Sequence, residues 1–223
     1  MSRGTLIFDL DGTLVDSAPD LADALDALLA DHGLAPLGLD HTRRLIGHGV
    51  AELVRKGLAV RGQTPEPPAL AAAVQRFLHH YTPHLSRKSR PYPGTVAVLQ
   101  GLHDDGWRLV VCTNKLEASA RKLLADLGLL PFFALVAGPD TYGVAKPDPA
   151  HLLHCLPPDN PASRPALMIG DAAPDIAAAQ AAGLPVIAVN WGYGPQPLDS
   201  LMPDAIAMTM ADIPGLVARL MPQ

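Results

Sequence analysis

Short apolar runs with little polar alternation recur along this chain, and they restrict its fold more than any other feature. They occupy residues 5–10, 108–112, 134–137, 166–169, 185–189 and 205–208. A strand that is apolar on both sides must be covered on both sides, which is the condition of a parallel sheet. Helical patterns lie between most of the runs, over residues 95–104, 116–127, 149–155 and 174–182. Strands alternating with helices predict an α/β protein with a doubly wound, Rossmann-like parallel sheet.

One stretch breaks the alternation. Between Ala18 and Arg90 no run reads as a strand, but three stripes recur at helical spacing. Leu21, Leu25, Leu28 and Leu29 form the first, and Val50, Leu53, Val54 and Leu58 the second. Leu70, Val74, Phe77, Leu78 and Tyr81 form the third. The chain therefore reads as a core of residues 1–15 and 91–223, carrying an all-helical insertion over residues 16–90. Residues 90–94, Arg-Pro-Tyr-Pro-Gly, suit a hinge at its exit.

Length and composition leave room for both parts. The 223 residues are 48% hydrophobic and 17% charged, enough for a sizeable core. The net charge of −5 argues against a nucleic-acid or acidic-lipid partner, since either needs clustered Lys and Arg. No apolar stretch reaches the ~20 residues that span a bilayer, and the short apolar run near the start does not read as a signal peptide, so none is expected. A cytoplasmic protein is expected, a monomer or weak homodimer, with Cys112 and Cys155 as buried thiols.

Parallel sheets bind ligands at the carboxyl ends of their strands. The first run ends in Asp9-Leu10-Asp11-Gly12-Thr13, the second in Thr113-Asn114-Lys115. A loop after the third carries Lys146-Pro147-Asp148-Pro149, and the fourth ends in Gly170-Asp171, with Asp175 four residues on. Each alone suits a turn or a helix cap. Capping does not require all of them in this order at successive strand ends. Asp9, Asp11 and Asp171 would converge on a phosphate that is itself anionic. Each like-charge pair at ~4 Å opposes this by about 4 kcal/mol at an effective dielectric of ~20. With only Lys146 in the set, a divalent cation is also required. Carboxylates with water and phosphate oxygens suit Mg²⁺, and no His/Cys cluster suggests zinc.

The segment Asp9-Leu10-Asp11-Gly12-Thr13-Leu14-Val15-Asp16-Ser17 resembles the first motif of the haloacid dehalogenase-like hydrolases. Thr113, Lys146 and Gly170-Asp171-x-x-x-Asp175 are similar to the second, third and fourth, in order, over essentially the whole chain. The resemblance implies that Asp9 is a nucleophile that becomes an aspartyl-phosphate, and that Asp11 is the general acid and base. It implies that Gly12, Thr13, Thr113 and Asn114 surround the phosphate, and that Lys146 neutralises Asp9 and the phosphoryl group. Mg²⁺ would be held by Asp9, the Asp11 main-chain carbonyl and Asp171, with Asp175 orienting the set from behind. Members often carry Ser or Thr after the fourth-motif Asp; Ala172 stands here, which predicts weaker tuning.

Asp11 points to ester hydrolysis, because the dehalogenases that share the fold lack this second Asp. Within the phosphatases the resemblance is to the phosphoglycolate phosphatase-like branch, so a small phosphate ester, 2-phosphoglycolate first, is the expected substrate. It rests on Leu45-Ile46-Gly47-His48-Gly49, Thr113-Asn114-Lys115 and Trp191-Gly192-Tyr193-Gly194. Gly47, His48 and Gly49 would present backbone N–H groups and an imidazole to a small carboxylate from a helix N-terminus. Arg43 and Arg44 could pair with that carboxylate, and Tyr92 and Tyr193 could line the cleft. Two alternatives remain. A β-phosphoglucomutase-like enzyme shares the motifs and the cap but returns the phosphoryl group to a sugar. A phospho-acceptor signalling module also combines Asp, Thr, Lys and Mg²⁺, but is shorter, uncapped, and carries its acceptor on a later strand.

Overall fold

The structure is a computed structural model that describes residues 3–157, 165–194 and 197–222. In chain order the elements are β1 (Thr5–Phe8), β2 (Val15–Asp16), α1 (Ala18–Asp31), α2 (Leu39–Arg43), α3 (Val50–Val60) and α4 (Pro67–Tyr81). There follow β3 (Arg90–Pro91), α5 (Thr95–Asp104), β4 (Arg108–Cys112), α6 (Glu117–Asp126), β5 (Leu135–Ala137) and α7 (Pro139–Tyr142). The last are α8 (Pro149–Leu153), β6 (Ala166–Gly170), α9 (Ala173–Ala181), β7 (Val186–Val189), β8 (Ala205–Ala207) and α10 (Ile213–Leu220).

The apolar runs form one six-stranded sheet in the order β5-β4-β1-β6-β7-β8, with every neighbouring pair parallel. Residues along each strand alternate between two cores because side chains alternate across a pleated strand. Leu6, Phe8, Leu109, Val111, Leu167 and Ile169 join the larger core. Ile7, Val110, Cys112 and Met168 join the other. The expected doubly wound α/β sheet is present. From β1 the chain runs outward through β4 and β5, then returns to β6 on the opposite side of β1. The carboxyl ends of β1 and β6 therefore meet at the point where strand order reverses, where such sheets bind ligands.

The insertion is helical, as its stripes indicate. Leu21, Leu25, Leu28 and Leu29 of α1 are buried, as are Leu53, Val54 and Leu58 of α3 and Phe77 and Tyr81 of α4. Gly57 lets α3 lie against α1, since a Cβ there would come 2.8 Å from Leu25 Cδ1. The entry and exit of this cap pair as a two-stranded antiparallel ribbon, with Val15 opposite Pro91 and Asp16 opposite Arg90. Buried Asp20 accepts hydrogen bonds from the Ser89 hydroxyl and the Lys88 and Ser89 N–H groups, tying the exit to α1. No helix among the described residues is long and apolar enough to cross a membrane.

Candidate active site

Four loops at the carboxyl edge bring the polar residues together. Asp9 follows β1, its N–H donating to Ile169 O at 2.9 Å across the strand pair. The chain then turns at once: Leu14 and Val15 donate back to Leu10 O, and Gly12 has φ +88°. A Cβ on Gly12 would lie 2.5 Å from Asp171 Oδ2, so this turn requires glycine on both conformational and steric grounds. Thr113, Asn114 and Lys115 follow β4; Asp171 follows β6; Asp175 lies in the first turn of α9.

Asp9, Asp171 and Asp175 are buried, with one carboxylate oxygen of each within 4.8 Å of the other two. Lys146 is the cation among them. Its Nζ donates to Asp9 Oδ1 at 2.8 Å, Cys112 O at 2.6 Å and Asp175 Oδ1 at 2.6 Å, which uses its three donors. Asp175 Oδ2 accepts from the Asp171 and Ala172 N–H groups at 3.2 and 3.0 Å. Both oxygens of Asp175 are thus engaged, and it acts as a brace behind Asp171 and Lys146. Asp171 Oδ1 accepts from the Thr13 hydroxyl at 3.1 Å, and Oδ2 from the Tyr193 and Gly194 N–H groups at 2.7 and 3.2 Å. Asp9 Oδ2 accepts no hydrogen bond among the described residues.

This charge distribution leaves its mark on the titration of the carboxyls. Burial, with Asp175 and Asp11 nearby, pushes Asp9 up to about 6 against the pull of Lys146. Burial, then the charges of Asp175 and Asp9, pushes Asp171 up to about 8. Three buried carboxylates facing one ammonium lack positive charge. The donors are all hard oxygens, so the group fits a hard divalent cation.

Asp11 lies on the cap side of the same turn. Its Oδ1 accepts from the Ser17 hydroxyl at 2.5 Å, and both its oxygens accept from Lys115 Nζ, at 3.1 and 3.0 Å. Lys115 is itself buried and lies 4.8 Å from the centre of the Tyr81 ring on α4. Burial presses it toward neutrality, but Asp11 and Tyr81 together offset this and hold it above the usual lysine range.

The expected phosphate-side residues fall into two groups. Thr113 lines a cavity of about 60 Å³ beside Asp9, together with Asn114, Gly47 and Gly49. The Asn114 side chain is committed elsewhere: Oδ1 accepts from the Lys146 N–H, and Nδ2 donates to Lys146 O and Gly47 O. The main-chain N–H groups of Asp11 and Asn114 have no acceptor among the described residues. Gly12 and Thr13 do not line the cavity; they pack against and hold Asp171. His48 is exposed and lies outside the cavity lining, although Gly47 and Gly49 on either side of it line the wall. Arg43 pairs with Asp16 at 3.1 Å, and Arg44 is exposed. Ala172, where a hydroxyl residue was expected, keeps its N–H on Asp175 and would meet a Cβ on Gly47 at 3.7 Å.

Several residues in the site were not assigned a role from the sequence. Lys115 and Ser17 engage Asp11. Tyr193 was read as a cleft-lining residue, but its hydroxyl donates to Asp16 at 2.6 Å and accepts from the Ser17 and Ala18 N–H groups. Its own N–H holds Asp171, so this one residue links the carboxylate cluster to the cap entry. Trp191 Nε1 donates to Thr13 O at 3.1 Å. The signal was available in Trp191-Gly192-Tyr193-Gly194: a Cβ on Gly192 would collide with Asp171, so the glycine permits the loop to wrap that carboxylate.

Comparison with known proteins agrees with this arrangement. Residues 6–189 match the haloacid dehalogenase-like hydrolase family. A phosphoglycolate phosphatase of Rhodospirillum rubrum is 44% identical over 200 residues, covering 88% of this chain and 83% of the relative. One from Mesorhizobium japonicum is 39% identical over 206 residues, covering 92% and 91%. A solved structure of a predicted phosphoglycolate phosphatase from Haemophilus somnus 129PT superposes with a TM-score of 0.87 at 28% identity, covering 97% of this chain and 99% of that one. The match over most of the chain, and the meeting of its motifs around Asp9, make this protein a member of the haloacid dehalogenase-like hydrolases.

Proposed function

We propose that this protein is a phosphatase that hydrolyses a small phosphate monoester, 2-phosphoglycolate first, through an aspartyl-phosphate on Asp9. The observation that carries this reading is the state of Asp9. One oxygen is held by Lys146, the other accepts no hydrogen bond among the described residues, and Asp9 lines the cavity. A carboxylate so held is oriented for attack, and the attacking oxygen needs no hydrogen bond broken first. The cavity beside Asp9, about 60 Å³, has room for a few waters and is bounded on the cap side by Leu53, Phe77 and Tyr81.

In the first step Asp9 Oδ2 bonds to phosphorus as the bond from phosphorus to the ester oxygen breaks. Protonated Asp11 gives its proton to the departing oxygen. Thr113, with the N–H groups of Asp11 and Asn114, holds the phosphoryl oxygens, and Lys146 offsets the charge that gathers on them. Water then attacks phosphorus, gives a proton to Asp11, and releases phosphate from Asp9. A magnesium ion would be held by Asp9, Asp171 and the Asp11 carbonyl, with Asp175 behind them. When bound it supplies positive charge that lets an anionic nucleophile meet an anionic ester. We assign residues 1–15 and 91–223 to the core and 16–90 to the cap, with the ribbon of β2 and β3 as the hinge.

Asp9→Asn tests the covalent step. Turnover should fall on the order of 10³-fold or more while the unfolding midpoint is retained. Mass spectrometry of acid-quenched wild-type protein should find a phosphoryl group on the peptide containing Asp9. Wild-type rates in the variant would overturn the mechanism.

A further inference from the structure

The cavity beside Asp9 is walled by Leu53, Phe77 and Tyr81 of the cap, and Lys115 is the one cation that lines it among the described residues. Lys146 has all three donors committed. Lys115 differs: its ammonium meets a single carboxylate, Asp11, and the face of the Tyr81 ring. An ammonium this desolvated needs a counter-charge, and leaving it unpaired would be strongly unfavourable. Its present partner is the residue to which the proposed function gives a different task. Asp11 must turn toward the ester oxygen, and both of its oxygens now accept from Lys115. A second anion taken by Lys115 would free Asp11 for that task.

We propose that Lys115 reads a second anionic group on the substrate. A carboxylate on the alcohol portion replaces Asp11 as the counter-ion of Lys115, and Asp11 is released toward the ester oxygen with Ser17 as its remaining partner. The phosphoryl group lies against Asp9, and Lys146 and Asp175 close the side behind it. The rest of the ester therefore extends toward Lys115 and the cap. Asp9 and Lys115 line the same cavity, so a carboxylate borne close to the ester oxygen can meet Lys115 while the phosphoryl group meets Asp9. The favoured class is the phosphate esters of short hydroxy acids. The ring of Tyr81 confers no charge preference of its own on the anion; it keeps Lys115 away from water and so makes the pairing stronger.

This inference rests on the phosphatase reading, and the test separates the two. Turnover of 2-phosphoglycolate and of ethyl phosphate, which replaces the carboxylate by a methyl group, is compared in the wild type and in Lys115→Met. Methionine keeps an unbranched apolar stem over Tyr81 and removes the charge; Lys115→Gln serves if the first variant does not fold. The wild type should prefer 2-phosphoglycolate. In the variant the ratio of kcat/KM between the two esters should fall about 10- to 100-fold, the range for a charged hydrogen bond, with most of the loss in KM. Equal losses on both esters, or an unchanged ratio, would overturn the assignment and leave Lys115 as a partner of Asp11 alone. If the wild type turns over neither ester, the phosphatase reading fails. Calorimetric binding of the same two esters to wild type and variant then decides for or against Lys115 by the same ratio.

Discussion

Asp9 and Asp171 share a buried volume in which ionisation is opposed by burial and by the charge of Asp175. Their folded values of about 6 and about 8 lie above the 3.8 of an isolated carboxyl. The native state therefore holds protons that the unfolded chain has released between about pH 4 and pH 8. By linkage, stability of the metal-free protein should fall as pH rises through that window. A bound divalent cation removes the cause. The midpoint of thermal unfolding in EDTA should be lower at pH 8 than at pH 5, and magnesium should raise it more at pH 8. Asp171→Asn should remove much of the slope. A metal-free midpoint that is flat or rising over this range would contradict the charge distribution proposed for the cluster.

The strands and helices that build the site owe their stability to burial from both faces. Phe8 is fully buried in the larger core and meets Phe133 edge-on, with ring centres 6.4 Å apart. Phe8→Ala should cost about 3–5 kcal/mol by urea unfolding, as large cavities in packed cores do. A loss under ~1 kcal/mol would mean that β1 is less central than its neighbours β4 and β6 imply. These elements were legible because each carries its own pattern: continuous apolar runs for strands, stripes at helical spacing for α1, α3 and α4. Others were not. The strands β2 and β3 have two residues each, too few for any period. Pro214 and Gly215 open α10 with residues that signal a loop, although proline is well suited to a first helical turn. Short α2 and α7 have too few turns to show a stripe.

At the scale of the whole molecule, the loop after β7 joins the core site to the cap entry through Tyr193. Its main-chain N–H holds Asp171, while its hydroxyl serves Asp16 and the N–H groups of Ser17 and Ala18 at the start of α1. Tyr193→Phe separates the two. The backbone contact survives, so magnesium affinity measured by calorimetry should change by less than about 3-fold. The partners of the hydroxyl lose it, and stability should fall by about 1–3 kcal/mol in urea unfolding. A large loss of metal affinity with unchanged stability would reverse that division. What the sequence alone determined was the parallel sheet, the helical insertion and the roster of Asp9, Asp11, Thr113, Lys146, Asp171 and Asp175. Periodicity and the ends of strands are local properties, and each can be read in a few consecutive residues. Only the tertiary structure decided that Asp11 pairs with Lys115, 104 positions away, that Tyr193 and Trp191 brace the site, and that His48 stays outside the cavity. Such pairings depend on which loops meet above the sheet and on how much water the cap excludes, and no local pattern records either.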